Sequence, residues 1–194
     1  MRATQHSYKV DGWGVGEVWV RGGLLIHHEL AGTLPAGVDP PQRDVSAHEK
    51  DGAVDAFPPN GGAASPTGTL SASSSRKAND FVSELCRLFA RHLAGAPTTY
   101  SDVRVDDAWY TPFQLELLHA LRAVPWGEVV SYGELAALAG RPVAARAAGT
   151  FCAENRFSLI VPCHRVVAAD GIGGYGTSGV TLKRRLLALE GVEL

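Results

Sequence analysis

The chain has 194 residues, 45% of them hydrophobic, and a formal net charge of -2, which allows one good-sized domain or two small ones around a packed core. The overall charge gives no global sign of a polyanionic partner, because non-specific nucleic-acid affinity comes mainly from Lys and Arg meeting phosphates. No apolar run approaches the roughly 18 to 20 residues of a membrane span, and the start Met1-Arg2-Ala3-Thr4-Gln5-His6 lacks the apolar core of a secretory signal, so a soluble, cytoplasmic protein without membrane contact is expected.

In chain order, Val15 to Val20 and Leu24 to Leu30 read as two short strands joined at Gly22-Gly23, a pair suited to the positive φ angles of a tight hairpin. His27 and His28 alternate across that strand without a cysteine nearby, a poor metal-ligand set. Between about 34 and 77 the chain turns to Pro40-Pro41, Pro58-Pro59, Gly61-Gly62 and Ser73-Ser74-Ser75 with no apolar period, the composition of a disordered insertion or long surface loop. Asp80 to Leu93 then carries Phe81, Leu85, Leu88 and Phe89 at helical spacing, predicting an amphipathic helix that packs on the hairpin with Cys86 in the core.

The second half opens with Thr111-Pro112-Phe113-Gln114, a capping box with proline in the first helical position, followed by Leu117, Leu118, Leu121 and Val124 on one face. After Pro125-Trp126-Gly127, Ser131-Tyr132-Gly133-Glu134 is a second capping box, opening a short helix that stops at Gly140. The next helix is predicted from Pro142 to about Ala153. The two make a helix-turn-helix, for which a plain helical hairpin is a fair alternative. Ala144, Ala145, Ala147 and Ala148 keep the second helix slim, and Arg146 stands out on it. From Arg141 to Arg185 the stretch is basic, with an excess of five positive charges. Val180 to Glu190 is a closing helix with Leu182, Leu186 and Leu189 inward. The fold class is therefore α+β: an N-terminal unit (1–105) of β-hairpin and helix, and a mostly helical C-terminal unit (106–194) with a helix-turn-helix and a short active-site strand or turn.

Chemistry concentrates in Val161-Pro162-Cys163-His164-Arg165-Val166-Val167. Only the thiolate of a cysteine is a good nucleophile, and an adjacent imidazole and cation are the groups that generate one. The three cysteines, Cys86, Cys152 and Cys163, have no paired spacing, so neither a disulfide framework nor a zinc ligand pattern is expected. Gly171-Ile172-Gly173-Gly174-Tyr175-Gly176 satisfies G-x-G-x-x-G, but outside a βαβ unit it reads as a tight-turned loop and not as a dinucleotide site.

The Pro-Cys-His-Arg-Val motif, the helix-turn-helix before it and the Leu-Leu-Ala-Leu-Glu-Gly ending resemble the O6-alkylguanine-DNA alkyltransferases, over about Thr111 to Gly191. The resemblance implies a single transfer of an alkyl group from oxygen 6 of guanine in double-stranded DNA to Cys163, with no cofactor and no metal, by a monomer. It implies that His164 takes the thiol proton through a bridging water, that Glu190 orients and charges that relay, and that Asn155 braces the turn and the thiol. Tyr132 is implied to hydrogen-bond the base and help swing the nucleotide out, and Arg146 to fill the space it leaves while the second helix, through Ala144 and Ala145, lies in the minor groove. Arg165 is assigned to the DNA contact. Val166, Tyr175, Gly176 and Thr177 are assigned to the base pocket, with main-chain carbonyls of Cys163 and Val166 accepting from the guanine amino group. Three features depart from the pattern: Arg156 stands where proline is usual, Phe151 where a small residue is common, and Tyr175 one residue earlier relative to Cys163.

Three other functions fit parts of this chain. A non-catalytic sensor of alkylated bases would lack the cysteine, a Cys-His hydrolase would turn over many times, and a helix-turn-helix regulator would need a further DNA-binding or sensing domain.

Overall fold

The computed structural model describes residues 2–32 and 72–194, so most of the expected insertion at 34–77 lies outside the described residues. The N-terminal sheet has three antiparallel strands in the order β1 (Thr4–Val10), β2 (Gly14–Arg21) and β3 (Leu24–Glu29). The β2–β3 hairpin turns through Gly22 and Gly23, with φ of 59° and 79°, the double positive φ that lets a two-residue turn match strand twist. Strand β1 is an addition to the sequence reading. It buries only Tyr8 fully and half-buries His6 and Val10, so its alternation is too polar to stand out.

Helix α1 (Ala72–Leu93) covers the sheet with Val82, Leu85, Phe89 and Leu93. It starts eight residues before the predicted Asp80. Residues 72–79 contain no glycine or proline and include Ala72, Arg76, Lys77 and Ala78, good helix formers that carry no apolar period. The Trp13 indole N–H donates to Leu93 O at 2.9 Å, tying the sheet to the end of α1.

Both predicted capping boxes form. Thr111 and Gln114 cap α2 (Pro112–Arg122), and Ser131 and Glu134 cap α3 (Tyr132–Leu138). Helix α3 ends in a Schellman turn: Gly140 has φ 78°, and the Arg141 and Gly140 N–H groups donate to Ala136 and Ala137 carbonyls. Helix α4 (Ala145–Ala153) begins three residues later than predicted. Pro142 lies instead in a turn closed by Ala144 N–H to Arg141 O at 2.9 Å, and Ala144 offers no side-chain cap. β4 (Val130–Ser131) pairs in parallel with β5 (Val166–Val167), which fixes the start of the helix-turn-helix beside the residues just after Cys163. Helix α5 (Gly179–Leu189) closes the chain with a second Schellman turn at Gly191, leaving Glu190 as its C-cap.

His28 joins the two halves. Its ring is buried and stacked on Phe89 at 4.1 Å. A carbonyl can only accept, so Nδ1–H donates to Ser158 O (2.7 Å), and Nε2 then accepts the Tyr8 hydroxyl (2.6 Å). The His28 main chain also donates to Arg156 O at 2.8 Å, beside the bridge from His28 to Phe157. The N-terminal sheet thereby grips the segment that leads into the cysteine motif.

Burial pushes the His28 pKa down to about 3. Between pH 6.5 and about 3 the unfolded chain therefore binds a proton at this site that the folded chain refuses. Stability is intact above pH 6.5 and is lost on acidification by about 1.4 kcal/mol per pH unit from this group. Urea unfolding from pH 7 to pH 4 is expected to show this slope. His28→Phe, which keeps the stack but strands Tyr8 and Ser158, is expected to flatten it and to cost about 1–3 kcal/mol at pH 7.

Candidate functional site

The candidate nucleophile, Cys163, sits on a tight turn. Pro162 has φ −80° and ψ 64°, and Cys163 N–H donates to Val161 O at 2.8 Å, an inverse γ-turn. Just upstream, buried Leu159 has φ 69°, the one non-glycine residue with positive φ among the described residues. A branched side chain held there is strained, and such strain persists only where surrounding packing over-determines it. Asn155 braces the turn. Its amide nitrogen donates to Val161 O (2.8 Å) and to Cys163 Sγ (3.0 Å), while its oxygen accepts Phe157 N–H (3.0 Å).

Cys163 opens on a cavity of about 70 Å³ lined also by Cys152, Asn155, Ser158, Tyr175 and Gly176. Burial raises the thiol pKa, partly offset by the Asn155 hydrogen bond and the positive field of Lys183. That lysine is fully buried; its Nζ donates to Val166 O (2.5 Å) and Gly174 O (3.0 Å). The Tyr175 hydroxyl is buried without a hydrogen-bond partner among the described residues, beside Cys163 and Ser158.

On the other side of the turn lies Glu190, whose carboxylate gathers donors from several elements. Oε1 takes His164 Nε2–H (2.8 Å) and Arg165 Nη2–H (2.9 Å); Oε2 takes Arg165 Nε–H (2.9 Å) and Gly127 N–H (3.2 Å). Burial alone would raise the Glu190 pKa, but His164, the nearby His92 and Arg165 hold it well below the usual carboxylate range. A carboxylate only accepts, so His164 carries its proton on Nε2 and presents Nδ1 as a lone pair. That Nδ1 is buried without a partner among the described residues. Burial brings the His164 pKa down to about 4 against the pull of Glu190, so the ring is a neutral base at pH 7.

His92, His164 and Glu190 offer ligand atoms within 4.8 Å of one another. A cation there would sit against the Arg165 guanidinium, which already holds both carboxylate oxygens. The donor set fits a hydrogen-bonded charge pair better than a metal.

Residues 112–192 match the family model of the 6-O-methylguanine DNA methyltransferase DNA-binding domain. The methylated-DNA–protein-cysteine methyltransferase of Salmonella typhimurium is 52% identical over 82 residues, covering 42% of this chain and 47% of its own length. That of Saccharolobus solfataricus is 46% identical over 83 residues, 43% and 53% of the two chains. Mycobacterium tuberculosis OGT, solved in complex with DNA, superposes with a TM-score of 0.64 at 28% identity, covering 96% of this chain and 92% of that one. Over residues 112–192 the chain is similar to the O6-methylguanine-DNA methyltransferases. It spans about half the length of the curated relatives it matches.

Within this family framework, Cys163, Asn155 and Tyr175 come together at the cavity and His164 and Glu190 behind it. Tyr132 is half-buried at the start of α3, its ring close to Gly149 of α4 and Gly173 of the glycine loop. Arg146 is exposed on α4, and Ala144 and Ala145 are half-buried at its start. Gly176 lies in a short 3-10 turn with φ 45°; the Thr177 side chain lies outside the described residues.

One assignment is corrected by the packing. Arg165 is only 6% exposed, with its guanidinium on Glu190 and on Val124 O at 2.7 Å, so it braces the site from inside and faces no DNA phosphate. The Cys163 and Val166 carbonyls are not idle: Val166 N–H and the Lys183 ammonium already donate to them. Lys183, His92 and Ser158 were not singled out from sequence. Lys183 sits beside Leu182 and Leu186 on the inner face of α5, and a lysine at an inward helical position was the available signal.

Arg165→Leu removes one partner of a buried ion pair. It is expected to destabilise the fold by about 3–5 kcal/mol in urea unfolding, because Glu190 would be left charged in the interior. A DNA-facing arginine would instead change binding with little effect on stability.

Proposed function

We propose that this chain repairs DNA by direct, stoichiometric transfer of a methyl or larger alkyl group from O6-alkylguanine to Cys163. The observation that carries this reading is the Cys163 thiol, hydrogen-bonded by Asn155, next to a histidine whose Nε2 is fixed on Glu190 and whose Nδ1 is bare. In the step, the sulfur lone pair forms a bond to the alkyl carbon while the bond from that carbon to O6 breaks, and its electron pair leaves with the guanine. The thiol proton passes to His164 Nδ1, through a water in the arrangement the family resemblance implies. Glu190 stabilises the imidazolium that results. Tyr132 supplies a hydroxyl to the negative charge that spreads over the base. Tyr175, Ser158 and Gly176 line the pocket for the alkylated edge, and Val166 offers the second lone pair of its carbonyl to the guanine amino group.

Residues 106–194 form the DNA-binding and catalytic unit in this proposal. The exposed Arg141, Pro142, Val143, Arg146, Ala147 and Thr150 give the helix-turn-helix a small-residue face with two cations, suited to a minor groove. Arg146 takes the place of the flipped nucleotide. No described helix is long and apolar enough to cross a membrane, and we place the protein in the cytoplasm as a monomer on double-stranded DNA containing alkylated guanine.

Intact-protein mass spectrometry after incubation with a duplex containing O6-methylguanine is expected to show one added methyl, about 14 Da, absent in Cys163→Ala. An unchanged mass in folded, reduced protein would sink the proposal, and repeated turnover of a small ester would point to a hydrolase. Arg146→Ala is expected to slow transfer from duplex DNA by about 10-fold or more while leaving transfer from the free O6-methylguanine base unchanged.

A further inference from the structure

The candidate catalytic network receives one side chain from the N-terminal unit. His92, on the last turn of α1, is fully buried, and its Nε2 lies 3.4 Å from Glu190 Oε1. Its ring packs edge-on to Trp126 (4.7 Å) and His164 (5.9 Å) and beside Tyr100 (5.8 Å). Neither ring nitrogen has a hydrogen-bond partner among the described residues. A buried imidazole with nothing else to bond, aimed at a carboxylate that anchors the proposed base, is poorly explained as core packing, which a phenylalanine would do without stranded nitrogens.

We propose that His92 is a positioning residue for Glu190, donating Nε2–H to Oε1 as charge develops on His164 and so coupling the N-terminal unit to the transfer step. This rests on the repair reading. Catalytic hydrogen bonds are often long in free proteins and tighten in the reactive complex, and 3.4 Å is a length from which a small movement of α1 or of Glu190 closes the bond. The charged and titratable groups that face the ring are Glu190 at the end of α5, His164 and Arg165 on the cysteine turn, and Tyr100 after α1. Burial lowers the His92 pKa against the attraction of the nearby Glu190 carboxylate, which keeps the ring neutral with one proton to place. On Nε2 that proton lies on the side of the carboxylate, with the heavy atoms 3.4 Å apart; on Nδ1 the Nε2 lone pair would face Oε1 and repel it. Without the donor, the Glu190 carboxylate is more basic and pulls the His164 pKa upward.

The test uses the full chain. Nitrogen-15 histidine NMR of the wild-type protein is expected to show His92 as a single Nε2–H tautomer; an Nδ1–H or averaged tautomer overturns the proposal. Single-turnover transfer from an O6-methylguanine duplex is then followed in His92→Phe and His92→Gln. His92→Phe keeps the ring packing and is expected to slow transfer by about 10-fold or more, with the acid limb of the pH–rate profile moved to higher pH. His92→Gln, which restores an N–H donor, is expected to return both to near wild type. A phenylalanine variant with the wild-type rate and profile, or a glutamine variant as slow as the phenylalanine one, overturns it. Should the phenylalanine variant not fold, the tautomer decides. A wild-type protein that takes up no methyl would end the repair reading, and the tautomer would still judge the His92 contact.

Discussion

A single buried carboxylate organises the site. Glu190 sits at the C-cap of α5, where its charge meets the negative end of the helix dipole and would be unwelcome without a partner. The partner is Arg165, held in two bonds to the carboxylate and a third to Val124 O. With His164 and the Gly127 amide added, the carboxylate ties together α5, the cysteine turn and the loop between α2 and α3. Desolvating such an ion pair is expensive, and the geometry recovers the cost only because nearly every lone pair is used. The cysteine turn can therefore be rigid without being large: Arg165 and His164, on either side of one peptide bond, are clamped to the same acceptor.

Burial sets the resting protonation of the candidate nucleophile and its histidine. Burial raises the Cys163 pKa and lowers that of His164 to about 4, so the neutral thiol and neutral imidazole are the stable pair in the free protein. A thiolate–imidazolium pair becomes favourable only when something polarisable and electron-demanding enters the cavity. For a residue proposed to be spent in one event this order is useful, since a permanently ionised thiolate would react with any electrophile that reached it. Asn155 and Lys183 then lean the balance toward the anion without creating it in advance.

Local chemistry explains what could be read from the sequence. Capping boxes at Thr111 and Ser131, the Gly22-Gly23 turn and the stop at Gly140 are short-range signals whose physics is complete within a few residues. Cys163, His164 and Glu190 stood out as candidates through the family resemblance, and the fold brings His164 and Glu190 into contact across 26 residues of chain. What failed was what depends on direction. Arg165 adjoins two catalytic candidates in a basic stretch, and a basic residue there looks like a DNA contact; only the fold shows it turned inward onto Glu190. The extra turns of α1 were hidden because polar helix formers carry no apolar period, and Pro142 was taken as a helix start when the chain spends it in the connecting turn. His92 had no sequence signal at all, since its importance lies in a contact made across 98 residues.

That contact changes how the N-terminal unit should be regarded. The family model matches residues 112–192 and the curated relatives match less than half of the chain, while the fold likeness to the tuberculosis protein runs over nearly the whole chain. The N-terminal unit reaches the site twice, by different routes. His28 and Tyr8 hold the segment at Ser158 that feeds the strained Leu159 and the cysteine turn from one side, while α1 brings His92 against Glu190 from the other. Both routes run through buried, neutral imidazoles packed on aromatic rings, and both meet groups that must keep their geometry as a proton moves. The N-terminal sheet and helix thus meet the turn that carries Cys163 from two sides, at Ser158 and at Glu190.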